Sequence, residues 1–145
     1  MILYLDTSAL AKLFIAEPGS QQVAAAVGTA LAAATHRLAY VEMHATLAKA
    51  VRTGRIDPSS LEPRLREFDA RWMSLEVVEA TEPLVRRAAA LAIRYGLRGY
   101  DSVHLAAALA VHETLGESVA YGFAATDGRL NDAARLAGLP LLTFL

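Results

Sequence analysis

Four acids in this chain stand where acids are uncommon. Asp6 closes the apolar run ILYL, Glu42 sits inside LAYVEMHATLA, Asp101 lies between YGLRGY and SVHLAAALA, and Asp127 follows AYGFAAT. Others, such as Glu62, Glu67, Asp69 and Glu113, fall on polar helix faces or in turns. A carboxylate taken out of water is costly unless it is paired. After Lys49 the chain has no lysine, so pairing falls to arginines, notably Arg98 or Arg129. Carboxylates that converge without a partner repel one another. A divalent cation relieves that repulsion, and an oxygen-only donor set suits Mg²⁺ or Mn²⁺. The chain has no cysteine, which excludes disulfides and thiolate metal sites. Each acid taken singly also has a plainer reading. Asp6, Asp101 and Asp127 could be helix caps, whereas Glu42, within a helical pattern and an apolar setting, has no such alternative.

The elements that must position these acids follow from hydrophobic period and punctuation. Residues 2–5, 31–35, 75–79, 118–126 and the terminal PLLTFL read as strands. Helices are expected over SALAKLFI, SQQVAAAV, HRLAYVEMHATLAKAVRTG and DPSSLEPRLREFDARW. Further helices are expected from Thr81 to Gly96, from Asp101 to Gly116, and over DGRLNDAARLAG. Thr35 is the expected cap of the third helix and Thr81, with Pro83 behind it, of the fifth. Alternating strands and helices predict an α/β domain with a mostly parallel sheet covered on both faces. In such sheets the working site lies outside the carboxyl ends of the strands, where Asp6 and Asp127 fall. The hydroxyls of Thr7 or Ser8 are expected to start the first helix, leaving Asp6 free for a metal.

At 145 residues the chain is expected to form one domain, 1–145. A net charge of −1 supplies no basic field that would advertise nucleic-acid binding. No apolar run reaches membrane length, and no basic segment precedes an apolar one at the N-terminus, so a cytoplasmic protein is expected. His104 lies one turn after Asp101, so an imidazole ligand is conceivable. The preferred reading is a histidine packed or hydrogen-bonded at the site's edge. The pair His112-Glu113 lacks the second histidine of a zinc-protease helix. A receiver-like domain would need a late lysine, and a haloacid-dehalogenase-like site a second acid after strand one. Neither is present.

YLDTSALAK, LAYVEMHATLAKA, YGLRGYDSVHLAAAL and ATDGRLNDAARLAG resemble, in order, the four acidic motifs of PIN-domain ribonucleases, with most similarity to VapC-type toxins. The resemblance runs the length of the chain. It implies a three-layer α/β/α fold around five short parallel strands and a Mg²⁺- or Mn²⁺-dependent endoribonuclease. It makes Asp6, Glu42, Asp101 and Asp127 the acidic quartet and Thr126 a supporting hydroxyl. It also implies a homodimer and inhibition by a small antitoxin beside the acids. On this reading Asp6 and Asp101 hold the main ion, Glu42 and Asp127 complete the pocket, and an activated water hydrolyses the RNA phosphodiester. Arg98 is the first choice for positioning phosphate, with an ion pair to one of the acids as its alternative; Thr7 is a weaker choice. Tyr40, Tyr95, Tyr100 and Trp72 are candidates for stacking on bases, although Trp72 lies on an apolar stripe and reads as core or interface. The apolar excess in LEPRLREFDARW hints at a dimer or antitoxin surface. The competing reading is a regulatory protein bound to its antitoxin, with weak or conditional nuclease activity.

Overall fold

The chain was analysed as a computed structural model, which describes residues 1–142. Strand β1 (Ile2–Leu5) leads into a short helix α1 (Thr7–Ala11). Next come α2 (Ser20–Thr29), β2 (Ala32–His36) and α3 (Ala39–Arg52). A 3₁₀ turn (Pro58–Ser60) opens α4 (Leu61–Trp72), followed by β3 (Glu76–Val78) and α5 (Glu82–Tyr95). Helix α6 (Gly99–Leu115), β4 (Tyr121–Ala124) and α7 (Gly128–Leu136) complete the order.

The sheet runs β3-β2-β1-β4 and every pairing is parallel. Parallel strands need crossovers, and the helices that supply them cover both faces. The two-residue period of a strand sends alternate side chains to opposite cores. Leu3 and Leu5 join a core with Leu10, Val23, Met43, Leu47, Phe68 and Trp72, drawn from α1 to α4. Tyr4 joins the other, with Leu84, Leu105, Phe123 and Leu130, beneath α5 to α7. This is the expected three-layer α/β/α architecture. Helix α6 is buried continuously from His104 to Leu109. That explains why LAAAL carries no amphipathic stripe.

Several local expectations are corrected. The sheet has four strands among the described residues, not five. The terminal strand is represented by one bridge between Phe123 and Leu141, with the Leu142 amide donating to the Phe123 carbonyl at 2.8 Å. The remainder of PLLTFL, residues 143–145, lies outside the described residues. Helix α1 ends at Ala11, and Leu13 and Phe14 donate to carbonyls three residues back, so the chain tightens rather than continuing an α-helix to Ile15.

Thr35 does not cap α3. It lies within β2, and its hydroxyl donates to the Leu5 carbonyl at 2.8 Å. The helix starts three residues beyond His36, and the His36 Nδ1 accepts from the Leu38 amide at 3.1 Å. The stripe of α4 does not form a surface: Phe68 and Trp72 are buried, with Leu61 and Leu65 packed against the same core. Thr81 and Gly96 cap α5 as expected, the glycine at φ +63°. Among the described residues, no helix is long and apolar enough to cross a membrane.

The chain moves outward from β1 to β2 and β3, then returns to lay β4 on the other side of β1. This reversal opens a crevice at the carboxyl ends of β1 and β4, the usual place for a site in such a sheet.

Candidate active site

Each of the four acids reaches that crevice from a different element. Asp6 leaves β1, Glu42 projects from the first turn of α3, Asp101 from the first turn of α6, and Asp127 from the loop between β4 and α7. They line one cleft of about 450 Å³, together with Thr7, Ser8, Glu17, Lys49, Arg98 and His104 among others.

Asp6 is the N-cap of α1, in place of the Thr7 or Ser8 expected from the sequence. Its backbone is extended (φ −72°, ψ 173°), and Oδ1 accepts from the Ala9 amide at 2.9 Å. Only a residue at the strand–helix junction has this backbone and this reach to an unpaired amide of the first turn. Thr7 is already helical, which turns its hydroxyl elsewhere. Ser8 serves Asp6 instead: its hydroxyl lies 2.7 Å from Oδ1 and 2.9 Å from Oδ2. The Thr126 amide donates to the same Ser8 oxygen at 3.1 Å. Thr126 therefore reaches Asp6 through its backbone and Ser8, while its own hydroxyl makes no hydrogen bond among the described residues.

Asp127 repeats the arrangement at α7, where Oδ1 accepts from the Leu130 amide at 2.9 Å. Asp101 is not a cap; Arg98 holds that position without a side-chain bond. The Arg98 Nε lies 2.9 Å from Asp101 Oδ2, and another nitrogen of the same guanidinium lies 3.8 Å from Asp127 Oδ2. Glu42 Oε1 accepts from the Thr7 hydroxyl at 2.9 Å and lies 3.0 Å from His104 Nε2. His104 thus sits at the site's edge, hydrogen-bonded, as the preferred reading had it.

The electrostatics differ from acid to acid. Burial pushes the Asp6 carboxyl up from its ordinary value, outweighing the hydrogen bonds from Ser8 and the Ala9 amide that favour the charged form. No lysine or arginine among the described residues pairs with Asp6 or Glu42; Arg98 is committed to Asp101 and Asp127. Burial likewise holds the Tyr4 hydroxyl protonated, well above its ordinary pKa.

The donor set therefore suits a hard cation: oxygen ligands, with a buried acid that lacks a positive partner. Among the described residues, no three histidine, aspartate or glutamate side chains already form a cage for an ion. Mg²⁺ keeps several waters and takes one or two carboxylates directly.

Glu17 is in the cleft and was not singled out from the sequence. It accepts from Lys12 at 3.1 Å and Arg55 at 2.8 Å. Lys12 and Glu17 flank the turn after α1, five residues apart, whereas Arg55 follows α3, 38 positions from Glu17, so only the packed chain brings the three together. Tyr100, half exposed, borders a second and more apolar hollow with Leu38 and Val103. Trp72 is core, packed against Phe68 and Tyr40.

The PIN domain family profile matches residues 3–142 of the chain. The chain belongs to the PIN-domain family. Ribonuclease VapC45 of Mycobacterium tuberculosis is 37% identical to this PIN domain over 137 residues, covering 94% of this chain and 92% of that protein. A toxin-antitoxin complex from Klebsiella pneumoniae aligns with a TM-score of 0.62 at 17% identity, covering 99% of this chain and 98% of that one. VapBC-1 from nontypeable Haemophilus influenzae gives a TM-score of 0.65 at 15% identity, covering 99% and 98%. At such identities these solved structures speak for the fold, and they agree with the PIN architecture described above.

Proposed function

We propose that this PIN domain is a metal-dependent endoribonuclease, acting in the cytoplasm as the toxin of a toxin–antitoxin pair. The observation that carries the reading is the convergence of Asp6, Glu42, Asp101 and Asp127 on one cleft at the carboxyl edge of the sheet. The similarity to a ribonuclease VapC across nearly the whole chain supplies the substrate class. The likeness to a solved toxin-antitoxin complex supports a small antitoxin as partner, and a second copy of the chain completes the expected assembly.

Asp6 and Asp101 would hold Mg²⁺ or Mn²⁺, directly or through water, with Glu42 and Asp127 completing the pocket. When bound, such an ion polarises the phosphate and lowers the pKa of water, supplying a nucleophile at neutral pH. The chain's own contribution is placement. Caps fix Asp6 and Asp127 by Oδ1, and Ser8 and Thr7 hold Asp6 and Glu42. Arg98, exposed at the cleft mouth, offers guanidinium donors to a phosphate. Fixed donors and charges aimed at the reacting phosphate need no reorganisation during the reaction.

The test is cleavage of total RNA by the purified protein with Mg²⁺, with EDTA, and with Asp101→Asn. Cleavage that needs the ion and vanishes in the variant is expected; undiminished cleavage by Asp101→Asn overturns the assignment. One observation favours the second reading, an antitoxin-bound regulator with conditional activity: Arg98 already bridges Asp101 and Asp127. Growth on expression separates the two, because equal toxicity of wild type and Asp101→Asn would mean that binding alone is harmful.

A further inference from the structure

Tyr4, Thr7, Glu42 and His104 come from β1, α1, α3 and α6, yet their polar atoms form one connected group. Tyr4 is fully buried and His104 is 2% exposed, so water has little access to either. The Tyr4 hydroxyl lies 2.9 Å from His104 Nδ1, its hydrogen-bond partner. A buried O–H without an acceptor is costly. Nδ1 must therefore accept from Tyr4, which places the ring proton on Nε2.

That proton faces Glu42 Oε1 at 3.0 Å and Thr7 Oγ1 at 3.1 Å. Thr7 in turn donates its own proton to Glu42 Oε1 at 2.9 Å. Every donor then has an acceptor. The other tautomer strands the Tyr4 proton and sets a nitrogen lone pair against a carboxylate oxygen.

We propose that His104, set by Tyr4, is a positioning residue that locks Glu42 in the cleft by binding Oε1 and leaving Oε2 for the reaction. This rests on the ribonuclease reading for its consequence, though not for its geometry. A free glutamate samples many rotamers, and holding one costs entropy that partners must offset. Oε1 receives both donors, Nε2–H and the Thr7 hydroxyl, while Oε2 accepts no hydrogen bond among the described residues. The relay also ties the sheet to a helix on each face, so Glu42 cannot drift without disturbing both.

Two measurements test this. In the first, nitrogen-15 NMR of the full chain without added metal should show His104 as the Nε2–H tautomer, and Tyr4→Phe should release that preference. An Nδ1–H pattern in the wild type overturns the proposal. In the second, RNA cleavage is compared across variants. Removing a group that orients a ligand costs about 10- to 100-fold in activity. His104→Leu and Tyr4→Phe should lower kcat by such factors while leaving KM for RNA near the wild-type value. His104→Gln, which keeps an N–H near the Nε2 position, should recover much of the loss. An unchanged kcat in Tyr4→Phe, or a Gln variant no better than Leu, overturns it. Should His104→Leu fail to fold, Tyr4→Phe and the tautomer decide. Should the wild type cleave no RNA, the functional reading falls, while the NMR result still judges the relay.

Discussion

One cleft holds two kinds of carboxylate. At one end Glu17 is met by Lys12 and Arg55. Partial burial pushes its carboxyl up, but the hydrogen bonds from Arg55 and Lys12 outweigh this and leave it below its ordinary value. At the other end Asp6 is more deeply buried, accepts from the Ser8 hydroxyl and the Ala9 amide, has no lysine or arginine partner among the described residues, and is held above its ordinary value, chiefly by burial. A carboxylate matched by cations is built to hold a structure together. One buried without them stores an unfavourable charge, and acids of that kind cluster at functional sites. The company an acid keeps therefore separates the two, although both line the same cleft.

The sharpest way to break the contrast is to neutralise the unmatched end. Asp101→Asn should lower RNA cleavage by on the order of 1,000-fold, as for other groups that stabilise a reacting charge, read as cleavage rate at saturating Mg²⁺. Asp6→Asn should do the same, yet raise the thermal midpoint by roughly 2–5 °C. Asparagine caps a helix about as well as aspartate, and the buried charge is gone. A fall in its melting temperature would show that Asp6 contributes to stability as Glu17 does.

Acid titration sharpens the contrast next. His36 lies fully buried with its ring centroid 6.3 Å from that of His104, and burial pushes its pKa down to about 4. The unfolded chain takes up a proton near the ordinary value of 6.5, while the folded chain refuses it until about 4. Stability should therefore be full above pH 6.5 and fall as pH drops towards 4. His36→Asn, which keeps an acceptor for the Leu38 amide, should escape roughly 2 kcal/mol of that loss. Urea midpoints at pH 7.5 and pH 5 measure the difference.

At the matched end, Glu17→Gln leaves Lys12, whose side chain is 8% exposed, with the Pro18 carbonyl at 2.6 Å but without its counter-charge. Unfolding free energy should fall by about 1–2 kcal/mol, between the values for exposed and buried pairs, with turnover near wild type. A larger loss of turnover than of stability would move Glu17 into the reactive group. The smallest effect is expected at Arg98, which is 76% exposed. Arg98→Gln should change stability by no more than about 0.5 kcal/mol. It should also raise KM for RNA, because a phosphate loses its guanidinium donors, while lowering the Mg²⁺ needed for half-maximal cleavage, because a competing cation has been removed from Asp101 and Asp127.

Much of this was legible beforehand, and the misreadings have physical causes. Asp6, Asp101 and Asp127 stand at element boundaries, which period and punctuation mark clearly. Glu42 was exposed by contrast, as a charge within an apolar stretch. Thr35 failed as a cap because strand β2 runs one residue past it, and its hydroxyl found the Leu5 carbonyl across the sheet. The sequence leaves Asp6 free for a metal and gives the cap to Thr7 or Ser8, whereas Asp6 itself caps α1. A carboxylate has two oxygens, so capping through Oδ1 still leaves Oδ2, where Ser8 is the one hydrogen-bond donor among the described residues. In the Lys12–Glu17–Arg55 group, Lys12 and Glu17 lie five residues apart at no regular spacing, and the pair between Arg55 and Glu17, across 38 residues, exists only once the chain has packed.

By itself, the sequence determined the α/β alternation, the parallel sheet and the positions of four acids along the chain. These depend on local preferences: side-chain period, turn residues and the burial that apolar runs demand. Which oxygen each acid commits, which acid Arg98 bridges, and that Tyr4, Thr7 and His104 converge on Glu42 were decided only by tertiary structure. Those are contacts of a few ångströms between residues as many as 100 positions apart, and only the packed arrangement of strands and helices sets distances on that scale.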